Sequence, residues 1–198
     1  MKRTIVTLMT LISLSVMQGQ RVKFGVKTGL NIATIHGSNV SNSEMIPRAY
    51  FGGYLNLDIA NKFHFQPELI YSLQGYKMSN YYAYNNIKDH LNYINLPLIF
   101  QYDVAKKIYV ETGPQIGYLC GRKLSYTTNN YFYGSSNTSS TDASGLNKID
   151  FGLNIGAGYR INHKFGISSR FFYGITNFAG GDDKFKNETI QIGANYNF

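Results

Sequence analysis

The sequence predicts an all-β fold, an eight-stranded antiparallel up-and-down transmembrane β-barrel. Three observations carry this: strict alternation of apolar and polar residues over most of the chain, connections that alternate between short and long, and an unusual composition. The 198 residues include 17 Tyr, 13 Phe and 20 Gly, and only 15% are charged. A chain rich in Tyr, Phe and Gly but poor in charge is unusual for a water-soluble domain and suits a sheet with one face in lipid.

Residues 1–20 read as a signal peptide. Lys2 and Arg3 form a positive start, and Ile5 to Met17 form an apolar core too short to span a bilayer as a helix. Met17 and Gly19 fit the −3 and −1 cleavage positions, which would make Gln20 the first mature residue. No cysteine follows the core, which argues against a lipoprotein. The domain is expected over 21–198.

The first strand places Val22, Phe24, Val26, Thr28, Leu30 and Ile32 on one face and Lys23, Gly25, Lys27, Gly29 and Asn31 on the other. The second sets Phe51, Leu55, Leu57 and Ile59 against Tyr50, Tyr54, Asn56 and Asp58. The third sets Phe63, Phe65, Leu69, Tyr71 and Leu73 against His64, Gln66, Glu68, Ser72 and Gln74. The fourth sets Ile94, Leu96, Leu98, Phe100 and Tyr102 against Asn95, Gln101 and Asp103. The fifth opposes Ile108, Val110, Ile116 and Tyr118 to Glu111, Gly113, Gln115 and Gly117. The sixth opposes Ile149, Phe151, Leu153, Ile155, Ala157 and Tyr159 to Asp150, Gly152, Asn154, Gly156, Gly158 and Arg160. The seventh opposes Phe165, Ile167, Phe171, Tyr173 and Ile175 to Gly166, Ser168, Arg170 and Gly174. The eighth, Thr189 to Phe198, alternates without error. Ala60–Lys62, Ala105–Lys107 and Asn162–Lys164 are tight turns. Long polar loops are expected at 35–48, 77–89, 121–147 and 179–187. Short periplasmic turns with longer outer loops are the outer-membrane arrangement.

Alternation alone leaves open whether the apolar face lines an internal cavity, as in a soluble ligand-binding barrel. Glycine, serine and asparagine dominate the polar face, and an eight-stranded barrel has room inside only for side chains. Aromatics gather at two levels of the apolar face: Phe63, Phe65, Tyr102, Tyr159, Phe165 and Tyr196 at one rim, and Phe51, Tyr71, Tyr118 and Tyr173 nearer the other, as at two membrane interfaces. The apolar face therefore points outward. Tyr196 and Phe198 are read as an assembly signal for the barrel assembly machinery. Pro67, Pro97 and Pro114 fall within strands, and local bulges are expected there.

Several segments resemble the PorT-like outer membrane protein beta-barrel family common in Bacteroidota. They are Phe65-Gln-Pro-Glu-Leu-Ile-Tyr-Ser72 with Gly75, Tyr93-Ile-Asn-Leu-Pro-Leu98, Thr112-Gly-Pro-Gln-Ile-Gly-Tyr-Leu119, Asp150-Phe-Gly-Leu-Asn-Ile-Gly-Ala-Gly-Tyr159, Arg170-Phe-Phe-Tyr-Gly-Ile-Thr-Asn177 and Gly193-Ala-Asn-Tyr-Asn-Phe198. The resemblance implies an outer-membrane barrel of the OmpA/OmpX size class in a Gram-negative cell envelope, and no particular activity.

Lys23, Lys27, Asp58, Glu68, Glu111, Asp150, Arg160 and Arg170 fall on the inward face. Both signs are present, so a lumen plugged by salt bridges and hydrogen bonds is expected rather than a pore. Glu68 and Glu111 are on strands that are not neighbours, which argues against a glycosidase pair. No catalytic, cofactor or metal residues are identified. The single Cys120 reads as a small apolar residue at a strand end, and the sequon at Asn187 as a chance match in a loop. The expected role is structural or surface interaction through the outer loops. The alternatives are a small outer-membrane channel or transporter, or a component of a protein secretion system. Expected partners are outer-membrane lipid, lipopolysaccharide phosphates met by Arg48, Lys77, Lys88, Arg122, Lys123, Lys184 and Lys186, and an extracellular protein or glycan at loop 121–147. Nucleic acid is excluded by the lack of any dense basic run, despite a net charge of +8. A monomer is expected.

Overall fold

A computed structural model describes residues 22–36, 43–78, 85–129, 136–141, 147–177 and 186–198. The signal segment 1–20, Lys184 and much of the loop 121–147 lie outside them. Nine strands form one antiparallel sheet: β1 (Val22–His36), β2 (Ser43–Ala60), β3 (Phe63–Met78), β4 (Asn85–Asp103), β5 (Ile108–Asn129), β6 (Ser136–Thr141), β7 (Ile149–Arg160), β8 (Phe165–Gly174) and β9 (Lys186–Asn197). Eight of them run in the order β4-β3-β2-β1-β9-β8-β7-β5, and β4 pairs with β5 to close the ring. The barrel is thus the expected eight-stranded one. β6 is an addition, which folds back on the far end of β5 from Leu124↔Thr141 to Asn129↔Ser136.

Closure follows from the membrane. Backbone N–H and C=O groups have no water partner in hydrocarbon, so a spanning sheet must end on itself. β1 and β9 meet in unbroken register from Gly25↔Asn197 to His36↔Lys186. The exposure pattern gives the orientation of the faces. Phe24, Leu69 and Ile155 are 59%, 60% and 65% exposed, while Asn31, Asp89 and Glu68 are 0%, 0% and 2% exposed. Apolar groups face outward and polar groups fill the interior, the inverse of a soluble protein. The aromatic rims are in place: Phe63 packs on Tyr102 at 4.8 Å, Phe165 on Tyr196 at 4.9 Å, and Phe51 on Tyr71 at 5.5 Å between ring centroids.

The strands at the long-loop end run further than alternation predicts. β2 begins at Ser43, β4 at Asn85 and β5 continues to Asn129, so the described residues of the expected loops 35–48, 77–89 and 121–147 are nearly all extended sheet. Above the membrane a hairpin can be polar on both faces, and period-two hydrophobicity then disappears although the ladder continues. Cys120 accordingly lies within β5 on the outward face, its thiol donating to Asn92 O at 3.2 Å. Asn187 belongs to β9 and is buried, which corrects its reading as a loop residue.

The bulges expected at Pro67, Pro97 and Pro114 are absent, and the register runs through each without a shift. In an antiparallel ladder a residue directs its N–H and C=O to the same neighbour, so the donor missing from proline weakens one seam only. Pro67 stays paired with Leu98, Pro97 with Gln115 and Pro114 with Leu153. On the other side of each, the pairing lapses for a few residues and resumes in phase. The fourth proline, Pro47, does fall in a register shift, between Met45 and Tyr50.

Large rings enter the lumen beside glycines. Tyr54 pairs with Gly25, and Tyr109 pairs with Gly158. A Cβ on Gly25 would stand 2.2 Å from Tyr54 Cζ, and one on Gly158 would stand 2.1 Å from Tyr109 Cζ. Each tyrosine therefore lies across its glycine partner, which lets a narrow interior hold rings without voids. We expect Gly158→Ala to lower stability by about 1–3 kcal/mol through overpacking. Adding Tyr109→Ser should recover part of that loss. Urea titration of folding into vesicles reads both variants and the double, and strictly additive losses would refute the pairing.

Candidate functional site

The inward charges that the sequence grouped together occupy three levels of the lumen. At mid-height, β1, β3, β5 and β8 bring Lys27, Glu68, Glu111 and Arg170 into contact. Arg170 grips Glu68 with two parallel bonds, Nη1 to Oε2 at 2.9 Å and Nη2 to Oε1 at 2.8 Å. Its Nε donates to Glu111 Oε1 at 2.8 Å. Lys27 Nζ meets Glu68 Oε1 at 3.1 Å. All four are at most 5% exposed. Two cations balance two carboxylates, so the cluster is neutral, and the forked guanidinium contact is among the stronger ion-pair geometries.

The register explains how residues from separated strands meet. Gly156 lies between Glu111 on β5 and Arg170 on β8. A Cβ there would stand 2.5 Å from Ser169 O and 3.2 Å from Arg170 Cβ. With no side chain at that row, Arg170 reaches across β7 to Glu111. Glu68 and Glu111 do not belong to neighbouring strands, as the sequence indicated, yet they share one guanidinium. Amides add to both carboxylates: Gln66 Nε2 donates to Glu68 Oε1 at 2.8 Å, and Gln101 Nε2 donates at 3.1 Å to Glu111 Oε2, the oxygen that Arg170 does not take. Asn56 then donates to both glutamine carbonyls, at 2.9 and 3.1 Å.

At the short-turn mouth, Lys23 pairs with Asp58 at 3.5 Å and Arg160 with Asp103 at 2.6 Å. Lys23 is about half exposed, so it guards the mouth rather than filling the lumen. His64, passed over in the sequence, bridges Asp58 at 2.7 Å and Asp103 at 3.1 Å. Arg160 also stacks on the Tyr109 ring at 4.7 Å. Between this ring of charges and the mid-height cluster lies a half-open vestibule of about 580 Å³, lined by Tyr54, Asn56, Gln66, Gln101 and Tyr109 among others.

Toward the long-loop end, Tyr50, Tyr93, Phe172 and Asn31 point inward and are all at most 2% exposed. Asn31 donates to Ser72 at 2.8 Å and accepts from Gln191 at 2.9 Å. Asp150 stands apart from the other predicted charges: its Oδ2 accepts from Asn187 at 3.0 Å, and it has no cation partner among the described residues. Higher still, Asp89 takes Arg122 Nε at 2.8 Å and Tyr76 Oη at 2.9 Å. Arg48 contacts His90 nearby. Burial, reinforced by Arg48, holds that imidazole below its ordinary pKa, which suits an acceptor role.

The sequence named the charges but missed their polar and aromatic neighbours. Gln66, Gln101, Asn56 and Tyr109 were readable as inward by phase, but nothing in a single strand marks which inward residues touch. No group of three or more His, Cys, Asp or Glu residues is placed to hold a metal among the described residues.

The family model for the outer membrane protein beta-barrel domain matches residues 15–180. No curated protein matches the chain. Among solved structures, the attachment invasion locus protein Ail of Yersinia pestis superposes with a TM-score of 0.51 at 12% identity, covering 92% of this chain and 100% of Ail. Neisserial surface protein A superposes with a TM-score of 0.51 at 13% identity, covering 91% of this chain and 100% of that one. At such identity the likeness concerns the fold.

We expect Arg170→Met to destabilise the barrel by about 3–5 kcal/mol, because two buried carboxylates then lose their principal cation. The triple variant Arg170→Met, Glu68→Gln, Glu111→Gln should recover most of the loss. Equilibrium denaturation in vesicles reads both, and a single variant as stable as the parent would refute the coupling.

Proposed function

Because the chain belongs to the outer membrane protein beta-barrel domain family, and is thereby an integral protein of the outer membrane, we propose that it is a closed, non-conducting and non-enzymatic barrel that works through its outer surface. The observation carrying this reading is the neutral cluster of Lys27, Glu68, Glu111 and Arg170, capped by Tyr50, Tyr93 and Phe172. An ion crossing the lumen would have to break a forked guanidinium–carboxylate pair and push aside buried rings. The vestibule is then a blind pocket open to the periplasm. Glu68 and Glu111 have their oxygens taken by Arg170, Lys27 and glutamine amides, which argues against a catalytic pair.

The outward-reaching part is the β5–β6 hairpin, which carries the sheet past the closed ring toward a protein or glycan partner. Lys88 and Lys123 are exposed on neighbouring strands at the same end and suit lipopolysaccharide phosphates. Arg122 and Arg48 are committed to Asp89 and His90, so they serve the rim itself. The PorT-like, Bacteroidota-type assignment, export through a signal peptide at 1–20, recognition of Tyr196 and Phe198 by the barrel assembly machinery, and a monomeric state belong to the same proposal.

In planar bilayers we expect the refolded protein to give no steady unitary conductance. Steady openings that vanish on changing Arg170 and Glu111 would overturn the reading and favour a channel.

A further inference from the structure

The outer wall of the barrel is dented over the seam where β1 meets β9. Thr28 and Ala194 are direct partners there, and both face outward. Larger side chains surround them: Phe51 is the partner of Thr28 on β2, Val26 and Tyr196 form the next row, and Phe165 continues it on β8. The result is an apolar groove of about 510 Å³ with small residues as its floor and rings as its walls. The Thr28 hydroxyl does not break its apolar character, since Oγ1 donates to Tyr50 O at 2.9 Å and the methyl group is left for the groove.

The groove leads to a cation. Lys164, in the short turn between β7 and β8, holds its Nζ 5.9 Å from the centroid of the Tyr196 ring. Tyr196 in turn packs on Phe165 at 4.9 Å. Among the described residues Lys164 makes no ion pair, so its charge is available at the short-turn rim, where lipid head groups lie.

We propose that this groove is a seat for one acyl chain of a phospholipid, with the lipid phosphate held by Lys164. Apolar burial cannot be the driving force, because bilayer tails are as apolar as the wall. What remains is closer packing against fixed rings and one charge–phosphate contact. A flexible hydrocarbon chain can lie between Phe51 and Tyr196. The convex wall of a second barrel would be held off by those rings before it touched Thr28 or Ala194.

The test uses the refolded barrel in vesicles doped with a phospholipid carrying a photoactivatable diazirine on one acyl chain. A diacylglycerol with the same chain but no phosphate serves as control. Cross-links mapped by mass spectrometry should favour Thr28, Phe51, Ala194 and Tyr196 over Leu96 and Ile116, which face lipid elsewhere, by about fivefold. Ala194→Phe should abolish the preference by filling the floor. Lys164→Gln should lower it to the diacylglycerol level. Unchanged heat-modifiable gel migration confirms that both variants fold. Even labelling around the belt would overturn the proposal. So would a preference indifferent to both substitutions, or covalent dimers formed through Ala194→Cys in a Cys120→Ser background.

Discussion

A polypeptide in hydrocarbon has no solvent to accept its backbone hydrogen bonds, and every other feature of this molecule is arranged around that fact. The sheet must return to its own first strand. Once eight strands close, the radius is set, and with it the amount of material the interior can hold. β1 and β9 accomplish the closure with an unbroken ladder, and five glycines and alanines along these two strands keep the approach close.

The fixed radius then dictates the interior. There is too little space for side chains from opposite walls to meet everywhere, yet a void would be costly. The solution is to alternate nothing with something large. Tyr54 and Tyr109 lie across Gly25 and Gly158, and Arg170 passes over Gly156. At mid-height the charges come inside as a balanced set whose oxygens are also bonded by amides, since an unpaired ion in such a place would be severely penalised, while the lone buried carboxyl, Asp150, leans on the Asn187 amide. The polar mouth and the buried upper lumen differ for the same reason: the first still meets water and the second does not.

Much of the fold was legible from the residues. Alternation placed all eight barrel strands and oriented both faces, because period-two patterning is enforced wherever one face meets lipid. It failed beyond the membrane: Ser43–Pro47 does not alternate and Gly121–Asn129 does so only at Leu124 and Tyr126, though the ladder runs on. The lumen was legible as a set of inward charges and not as a circuit. Glu68 and Glu111 lie two strands apart, and only the register through Gly156 reveals that one arginine serves both. Asp150 has the phase of its fellows but sits at another height, which alternation does not encode. His64 was readable as inward, yet its bridging role depends on Asp58 and Asp103 arriving from β2 and β4.

The lapses beside Pro67, Pro97 and Pro114 are not scattered. They step from the β2–β3 seam to β3–β4 to β4–β5, one strand at a time, because each proline faces the neighbour of the next. The seams β5–β7, β7–β8, β8–β9 and β9–β1 carry no such gap. The hydrogen-bonded wall is therefore two-sided. Five adjacent seams, with β1–β2 and the joint between first and last strands among them, keep a continuous ladder, and the other three share an oblique line of missing pairings that passes well clear of that joint.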